Sequence, residues 1–283
     1  MTSHNKIKWA VALLLLGIAL AAQAADFNGW SRKAKIQFAG YNPPGGATTL
    51  TNFPALVVLN TNIGSFLYGD FLSLTNQDLR FTAANGTDEL NYEIEKWNTN
   101  GSSYVWVQVP RLADTNTSVW AWWGKAGTNA PAYTTNGATW SNGYAAVWHL
   151  GVAGTGTRAD SASTNPATPV AFSGNEATNG VIGSAVNLSA TNCLDCGRNV
   201  GNFALANSFT LSAWVNSVSN GANQAIYGNA DGGTYPAGYH VRINNSGRSL
   251  RFILLQNSST YIYTGEYRLF GVMMALNAGL VES

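Results

Sequence analysis

The sequence predicts an all-β fold made of antiparallel sheets. Short segments that alternate apolar and polar residues recur along its 283 residues, and no long segment has the apolar period of about 3.6 residues that marks an amphipathic helix. Clusters of Gly, Asn, Thr and Asp separate these segments, as turns do between strands. Aromatic residues, at 12%, outnumber the 10% that carry charge, a balance typical of β-rich extracellular proteins.

The first half contains six strand-like segments. We predict strands at 33–38 and 54–60, the second of them apolar enough to be buried. Four patterns follow, LRFT, LNYEIEKW, SYVWVQVP and SVWAWWG, separated by the turn-forming clusters AANGTDE, NTNGS and RLADTNT. Short strands at this spacing predict an antiparallel β-sandwich over residues 25–125, in which LRFT and LNYEIEKW form a hairpin.

A stretch without apolar period divides the chain. It is rich in Gly, Asn, Thr and Pro, and we interpret residues 126–144 as a linker or long connection. Strand patterns then resume over 145–283, in AAVWHL, SAVNLS, FTLSAWVN, QAIYGN, YHVRIN, LRFILLQ and YRLFGVMMAL. Two all-β domains are the economical count for a chain of this length.

Residues 1–24 predict an export signal. A positively charged start precedes the apolar run 10–22, and the triplet AQA ends at residue 24, which places the mature start at Ala25. As a helix the apolar run reaches about 20 Å, too short for a hydrocarbon core of about 30 Å. We therefore expect an exported chain, periplasmic, cell-surface or extracellular, without a membrane span in its mature part.

Charge argues against a nucleic-acid partner. Without Lys6 and Lys8, the 15 Lys and Arg residues fall to 13, against 14 Asp and Glu residues. The mature chain is therefore close to neutral and has no basic patch to bind a phosphate backbone.

Four motifs of the first half carry a resemblance. DLRF at 78–81, YEIEKW at 92–97, VWVQVP at 105–110 and WWG at 122–124 occur in the order of the secreted β-domain family catalogued as domain of unknown function 2341. The chain resembles that family over roughly residues 30–125. The resemblance implies a β-domain and no activity, because the family has no established biochemical role.

The second half is similar to a laminin-G-like jelly roll of the concanavalin A type. The motifs are VWHL at 147–150, ADS at 159–161, GSAVNL at 183–188 and FTLSAWV at 209–215. Such domains usually bind glycans or proteins, and the family continues for several strands after the one that starts at Tyr267. The resemblance therefore implies an incomplete jelly roll with unpaired strand edges, and a fold class of β-sandwich followed by this partial domain.

Two acidic residues stand out in this charge-poor chain. Glu93 and Glu95 are two apart on a predicted strand and share a face, with Trp97 next along the same row. Retaining glycosidases need two carboxyl groups about 5–5.5 Å apart, so the pair is a catalytic candidate. The preferred interpretation is a solvated strand face with Arg80 and Lys96 as neighbours.

Tryptophans supply the candidate ligand-binding residues. Trp120 and Trp122 share one face of a predicted strand, and Trp123 lies on the other. Exposed aromatic rings can stack on sugars, so the candidates are Trp97, Trp120 and Trp122, with sandwich core as the alternative. Trp148 and Trp214 occupy positions where the jelly-roll family has aromatic residues, and we assign both to packing.

Cysteine and aspartate residues give weaker candidates. Cys193 and Cys196 are spaced as C-x-x-C, which leaves open a local disulfide or two unpaired thiols. Asp160, Asp195 and Asp231 could offer oxygen ligands to calcium, and Asp160 is the metal-site candidate. We expect no other cofactor.

The sequence contains none of the standard catalytic motifs, and we interpret His149 as a packed residue rather than a base. We therefore expect an exported, non-catalytic binding or adhesion protein that recognises carbohydrate or a cell-surface partner. The alternatives are a glycoside hydrolase or lyase that uses Glu93 and Glu95, and a structural spacer of a larger surface protein.

Overall fold

The computed structural model describes residues 25–42, 49–197, 200–201, 208–217, 223–229, 238–244, 249–255, 261–263, 267–268 and 274–278. The predicted export signal and Asp231 lie outside these ranges. Strands and short 3-10 turns make up the regular structure of the described residues, every strand pair is antiparallel, and the all-β class is confirmed. No helix in this part of the chain is long and apolar enough to span a bilayer.

The strands follow the sequence in order. They are β1 (Arg32–Gln37), β2 (Leu50–Leu59), β3 (Arg80–Ala83), β4 (Tyr92–Lys96), β5 (Ser103–Leu112), β6 (Ser118–Trp123), β7 (Thr168–Val170), β8 (Ala177–Asn179), β9 (Ser184–Val186), β10 (Cys193–Asp195), β11 (Phe209–Ala213), β12 (Gln224–Gly228), β13 (Gly238–Ile243), β14 (Ser249–Leu255), β15 (Tyr261–Tyr263), β16 (Tyr267–Arg268) and β17 (Met274–Ala278).

The first six strands form two facing sheets. One has the order β1-β6-β3 and the other β2-β5-β4. Alternate residues of each strand point inward, so the pleat itself separates a core face from an outer face. The core side chains that are fully or almost fully buried are Val57, Leu59, Phe66, Leu79, Phe81, Tyr92, Val105, Val107, Val109, Val119, Ala121 and Trp123.

The predicted hairpin of LRFT and LNYEIEKW exists only near its turn. Ala83 donates its N–H to the Asp88 carbonyl at 2.8 Å, and Leu90 donates to the Phe81 carbonyl at 2.8 Å. Beyond that point β3 pairs with β6 and β4 pairs with β5, so the two segments belong to opposite sheets. The turn chemistry predicts the local pairing but not the crossing to the second sheet.

A buried carboxylate fixes the loop before β3. Asp78 is fully buried, and its Oδ2 accepts N–H donors from Leu72, Gly124 and Lys125 at 3.0, 2.9 and 3.0 Å. The Asp78 carbonyl also accepts the indole N–H of Trp30 at 2.9 Å. Asp78 therefore joins the loop and the end of β6 through its side chain, and the segment before β1 through its main-chain carbonyl.

The connection 126–144 packs against the sandwich. It contains 3-10 turns at Ala132–Thr134 and Ala138–Trp140. Tyr133 contacts the core, and Trp140 is 5% exposed with its ring 5.3 Å from that of Trp106. These contacts give the connection a fixed place against β4 and β5.

The second half forms smaller antiparallel sheets. β7 pairs with β10, β8 with β9 and β11 with β17, while β12-β13-β14-β15 form a row in which β16 also pairs with β14. A small core gathers around Tyr239, Val241, Ile243, Leu250 and Phe252. The concanavalin A-like jelly roll stays a prediction.

The strand predicted for AAVWHL is wrong. Residues 145–150 form no strand. The backbone of Val147 forms its hydrogen bonds with the loop at residues 160–161 and not with a neighbouring strand. Val147 donates to the carboxylate of Asp160 at 2.8 Å and its carbonyl accepts the N–H of Ser161 at 2.8 Å. The segment is therefore held to residues 160–161.

We expect Trp123→Ala to lower the free energy of unfolding by about 3–5 kcal/mol, because it empties a large fully buried site. Trp120→Ala, on the same strand but on the outer face, is the matched control and should cost about 1 kcal/mol or less. Urea denaturation followed by circular dichroism measures both. Equal losses in the two variants would contradict this assignment of the core face.

Candidate functional site

Glu93 and Glu95 lie on the outer side of β4, and a bulge sets their positions. Tyr92 and Ile94 pair with β5 in regular register and pack in the core. The register shifts between Ile94 and Lys96, so Glu95 is the extra residue of a β-bulge. Both carboxylates therefore point away from the core, as the alternation predicts.

The bulge corrects the expectation for Trp97. A regular strand would place Trp97 in the row of Glu93 and Glu95, but one extra residue reverses the alternation beyond the bulge. Trp97 instead packs on the core, with its ring 5.3 Å from Tyr68 and 5.1 Å from Phe71. Trp97 and the two acids therefore lie on opposite faces of the sheet, and one ligand could not contact all three.

A histidine lies between the two acids. His149 Nε2 is 3.3 Å from Glu93 Oε1, an ion-pair distance without hydrogen-bond alignment. On the other side of the ring, Nδ1 contacts Glu95 Oε2. Only 4% of the Glu95 side chain, 18% of Glu93 and 19% of His149 is exposed, so this is a largely buried group of three charges. We call Glu93, Glu95 and His149 the carboxylate–histidine cluster.

Neutral donors complete the cluster. Trp106 donates its indole N–H to Glu95 Oε2 at 3.0 Å, and Trp140 donates to Glu93 Oε2. Ser161 donates its hydroxyl to Glu93 Oε1 at 2.6 Å. The donors come from β5, from the connection and from the second half of the chain. The cluster therefore joins the sandwich to the segment that follows it.

Asp160 organises the backbone that presents His149 and Ser161. It accepts the N–H of Val147, and Ser161 is its neighbour in sequence. Leu150, directly after His149, has φ 57°, a left-handed conformation that a bulky side chain seldom adopts. The backbone is thus bent at the residue after the imidazole.

Contacts within the cluster shift the pKa values of His149 and Glu93 toward their charged forms. Burial acts to lower the pKa of His149, but its contacts with Glu93 and Glu95 raise that pKa to about 9. Burial acts to raise the pKa of Glu93, yet its contacts with His149, Ser161 and Trp140 outweigh burial and hold the pKa below its ordinary range. At neutral pH an imidazolium therefore lies between two carboxylates.

This arrangement suits a structural junction better than acid catalysis. A glycosidase needs one carboxyl with a raised pKa as proton donor, and the pKa of Glu93 shifts the other way. The donors of the cluster do not converge on a metal either, because the imidazole offers one nitrogen to each carboxylate. Among the described residues no group of three or more His, Cys, Asp or Glu side chains could hold a metal ion.

A second site lies on the other sheet. The segment before β1 and the start of β1, together with Trp122 and the turn after β3, line an open cavity of about 450 Å³. Phe27 stacks on Trp122 at a centroid distance of 5.0 Å and contacts Trp30 at 4.9 Å. We call it the aromatic cavity; its lining is Ala25, Asp26, Phe27, Asn28, Trp30, Ser31, Arg32, Lys33, Gly86, Thr87 and Trp122.

The outer face of β6 leads into this cavity. Trp120 and Trp122 lie half-buried on that face, whereas Trp123 is in the core. The ammonium of Lys33, on the neighbouring β1, lies 5.0 Å from the ring centroids of both Trp120 and Trp122. Two of the three predicted ligand-binding tryptophans therefore adjoin one surface, and Trp122 also lines the cavity.

The aspartate candidates for calcium are engaged in turns. The carboxylate of Asp160 accepts hydrogen bonds from Val147, Ala162, Ser163 and Asn165. Asp195 accepts the N–H of Gly197 at 2.8 Å. These carboxylates lie in local turn structure, and neither belongs to a cluster of acidic ligands in the described residues.

The two cysteines are free thiols in the structure. Cys193 is exposed at the start of β10 and Cys196 is half-buried just beyond it. Burial raises the pKa of the Cys196 thiol to about 11, so this thiol is a poor nucleophile at neutral pH. Of the two alternatives left open by the sequence, the structure has the unpaired thiols, since residues three apart along an extended chain face opposite sides.

The two tryptophans assigned to packing differ. Trp148 is half-buried, donates to the Asn165 carbonyl at 2.8 Å and lies 6.2 Å from the ring of Tyr227. Trp214 is 49% exposed and follows the end of β11, so its assignment to packing is wrong.

Comparison with known proteins identifies part of the sandwich. Residues 75–142 match the family described as Domain of unknown function (DUF2341). The matched range contains both glutamates and both indole donors of the cluster but ends before His149 and Ser161. No curated protein and no solved structure matches the chain.

Sequence reasoning missed the four partners of Glu93 and Glu95, which are His149, Ser161, Trp140 and Trp106. His149 and Ser161 occur within the motifs VWHL and ADS, which indicate a jelly roll and give no sign of a partner in the first half. Trp140 falls in the stretch interpreted as a linker. The available signal was indirect: two acids on one strand face of a charge-poor chain need cationic or N–H donors if other residues cover that face.

We expect the stability of the chain to fall as pH rises from 6.5 through 9. The folded pKa of His149, about 9, exceeds its ordinary 6.5, so its stabilising effect is complete below pH 6.5 and is lost above the folded value. The loss should be about 3 kcal/mol. Urea denaturation at pH 6, 7.5 and 9.5 measures it, and His149→Gln should lack this pH-dependent part. The same alkaline loss in both proteins would show that another group is responsible.

Proposed function

We propose that the chain is an exported, non-catalytic binding protein that recognises carbohydrate at the aromatic cavity. The observation that carries the proposal is the lining of the cavity, where Phe27, Trp30 and Trp122 lie beside polar groups. A volume of about 450 Å³ is within the range of small-ligand sites.

The mixed lining suits a sugar. The C–H faces of a sugar ring pack on aromatic rings, while its hydroxyls need donors and acceptors nearby. Asn28 carries an amide that can donate and accept, and the hydroxyl oxygens of Ser31 and Thr87 can accept. This combination of aromatic surface and polar groups supports carbohydrate over a purely apolar ligand.

The hydrolase or lyase alternative gains no support from the arrangement of its candidate residues. Glu93 and Glu95 are held by His149 and by indole donors in a largely buried cluster, away from the aromatic cavity. A spacer function is the second candidate, because the cluster joins the sandwich rigidly to the following segment. A spacer function is the alternative that fits the result if the protein binds no glycan.

Trp122→Ala should weaken glycan binding about ten-fold, since it removes the ring shared by the cavity and the outer face of β6. A glycan array followed by titration calorimetry measures the change. Trp214→Ala, which removes an exposed indole that does not line the cavity, is the control and should bind as the parent does. Absence of binding to every glycan, or equal loss in both variants, would refute the proposed site.

Export places Ala25 at the start of the mature chain. When the full sequence is expressed in a Gram-negative host, protein recovered from the periplasm or medium should begin at Ala25, as determined by terminal sequencing. Replacement of Ala24 by Leu should block cleavage, since the site requires a small residue, while Asn28→Ser should leave it unchanged. Retention of residues 1–24 in the exported protein would contradict the predicted signal.

A further inference from the structure

We infer that the aromatic cavity selects an anionic sugar, one that carries a carboxylate or a sulfate, and that Lys33 is the residue that selects for its charge. The inference rests on the proposed carbohydrate-binding function and names the substrate class for that site.

The first argument is the position of the Lys33 ammonium. It lies 5.0 Å from the ring centroids of Trp120 and Trp122, and Lys33 is directly opposite Trp122 in the β1–β6 register. Phe27 already stacks on Trp122. A sugar that approaches this indole therefore meets the ammonium group and must either displace it or bind it.

The second argument is what the displacement costs. A cation over an aromatic ring is stabilised by the ring quadrupole, and a neutral sugar that takes its place packs on the ring but offers the displaced ammonium no charged partner. An anionic substituent instead accepts a charge-assisted hydrogen bond from the displaced ammonium. The same lysine thus opposes neutral sugars and favours acidic ones.

The third argument is the charge balance around the cavity. Arg32 is ion-paired with Asp70 at 3.0 Å, whereas Lys33 forms no ion pair with any described residue. Asp26 is the one carboxylate in the cavity lining, and its Oδ1 accepts the N–H of Asn28 at 2.9 Å. The anionic group of a ligand is therefore directed to the Lys33 end of the cavity and away from Asp26.

A further cation borders the site. Lys125 Nζ lies 4.0 Å from the ring centroid of Trp30, a lining residue, and forms no ion pair within the described part of the chain. Two lysines therefore cover the indoles around one cavity without a carboxylate partner. This repeated pattern distinguishes the site from a single solvated lysine on a strand.

The test compares sugars of equal length on the purified chain. Calorimetry with tetragalacturonic acid, a sulfated tetrasaccharide and neutral cellotetraose, each at 20 and 200 mM NaCl, separates carboxylate, sulfate and neutral recognition. We expect at least one acidic sugar to bind about ten-fold more tightly than cellotetraose. The better of the two acidic sugars identifies the anionic group.

Variants then assign the selectivity to Lys33. Lys33→Gln should remove the preference for the acidic sugar without weakening neutral binding, and Lys33→Arg should retain it. Lys35→Gln is the matched control, because Lys35 lies on the same side of β1 but does not line the cavity. The control should change affinity by less than two-fold.

The outcomes distinguish the inference from the proposed function. Neutral sugars bound as tightly as acidic ones, or equal effects of Lys33→Gln and Lys35→Gln, would overturn the inference and leave carbohydrate binding intact. Binding of no sugar, neutral or acidic, on a panel of wider composition would overturn the proposed function itself.

Discussion

The carboxylate of Asp78 is the interaction on which the first half depends. Burial of a polar side chain is costly unless hydrogen bonds replace its water, and three backbone N–H groups do so for Oδ2 of Asp78. Those donors come from the loop before β3 and from the end of β6. Through its carbonyl the same residue holds the indole of Trp30, so the wall of the aromatic cavity is tied to the core of the sandwich.

A second constraint is the bulge at Glu95. One extra residue in β4 lets the strand place two acids outward and then return Trp97 to the core. Two acids on a sheet face that other residues cover would destabilise the fold if they had no hydrogen-bond or ion-pair partners. Here both acids have partners, and their contacts join the two halves of the chain. The partners are His149, Trp106, Trp140 and Ser161.

Alternation predicts the strands of the sandwich well, because β2, β5 and β6 each bury one clear face. It fails where a single residue changes the period, as at Glu95, or where a backbone group bonds to a loop, as at Val147. The outer-face positions of Glu93, Trp120 and Trp122 follow from period two. The partners of those residues come from distant parts of the chain, and no local pattern can name them.

The carboxylate–histidine cluster also bears on what counts as one folding unit. The family match ends at residue 142, whereas His149 and Ser161 lie beyond it. A fragment cut at that boundary would keep the two neighbouring acids and lose both the His149 imidazolium and the Ser161 hydroxyl that donates to Glu93. Gly183 also approaches Glu95 so closely that an added Cβ would lie 3.1 Å from its Oε1. The matched range 75–142 is therefore shorter than the part of the chain within which these charged side chains find their partners.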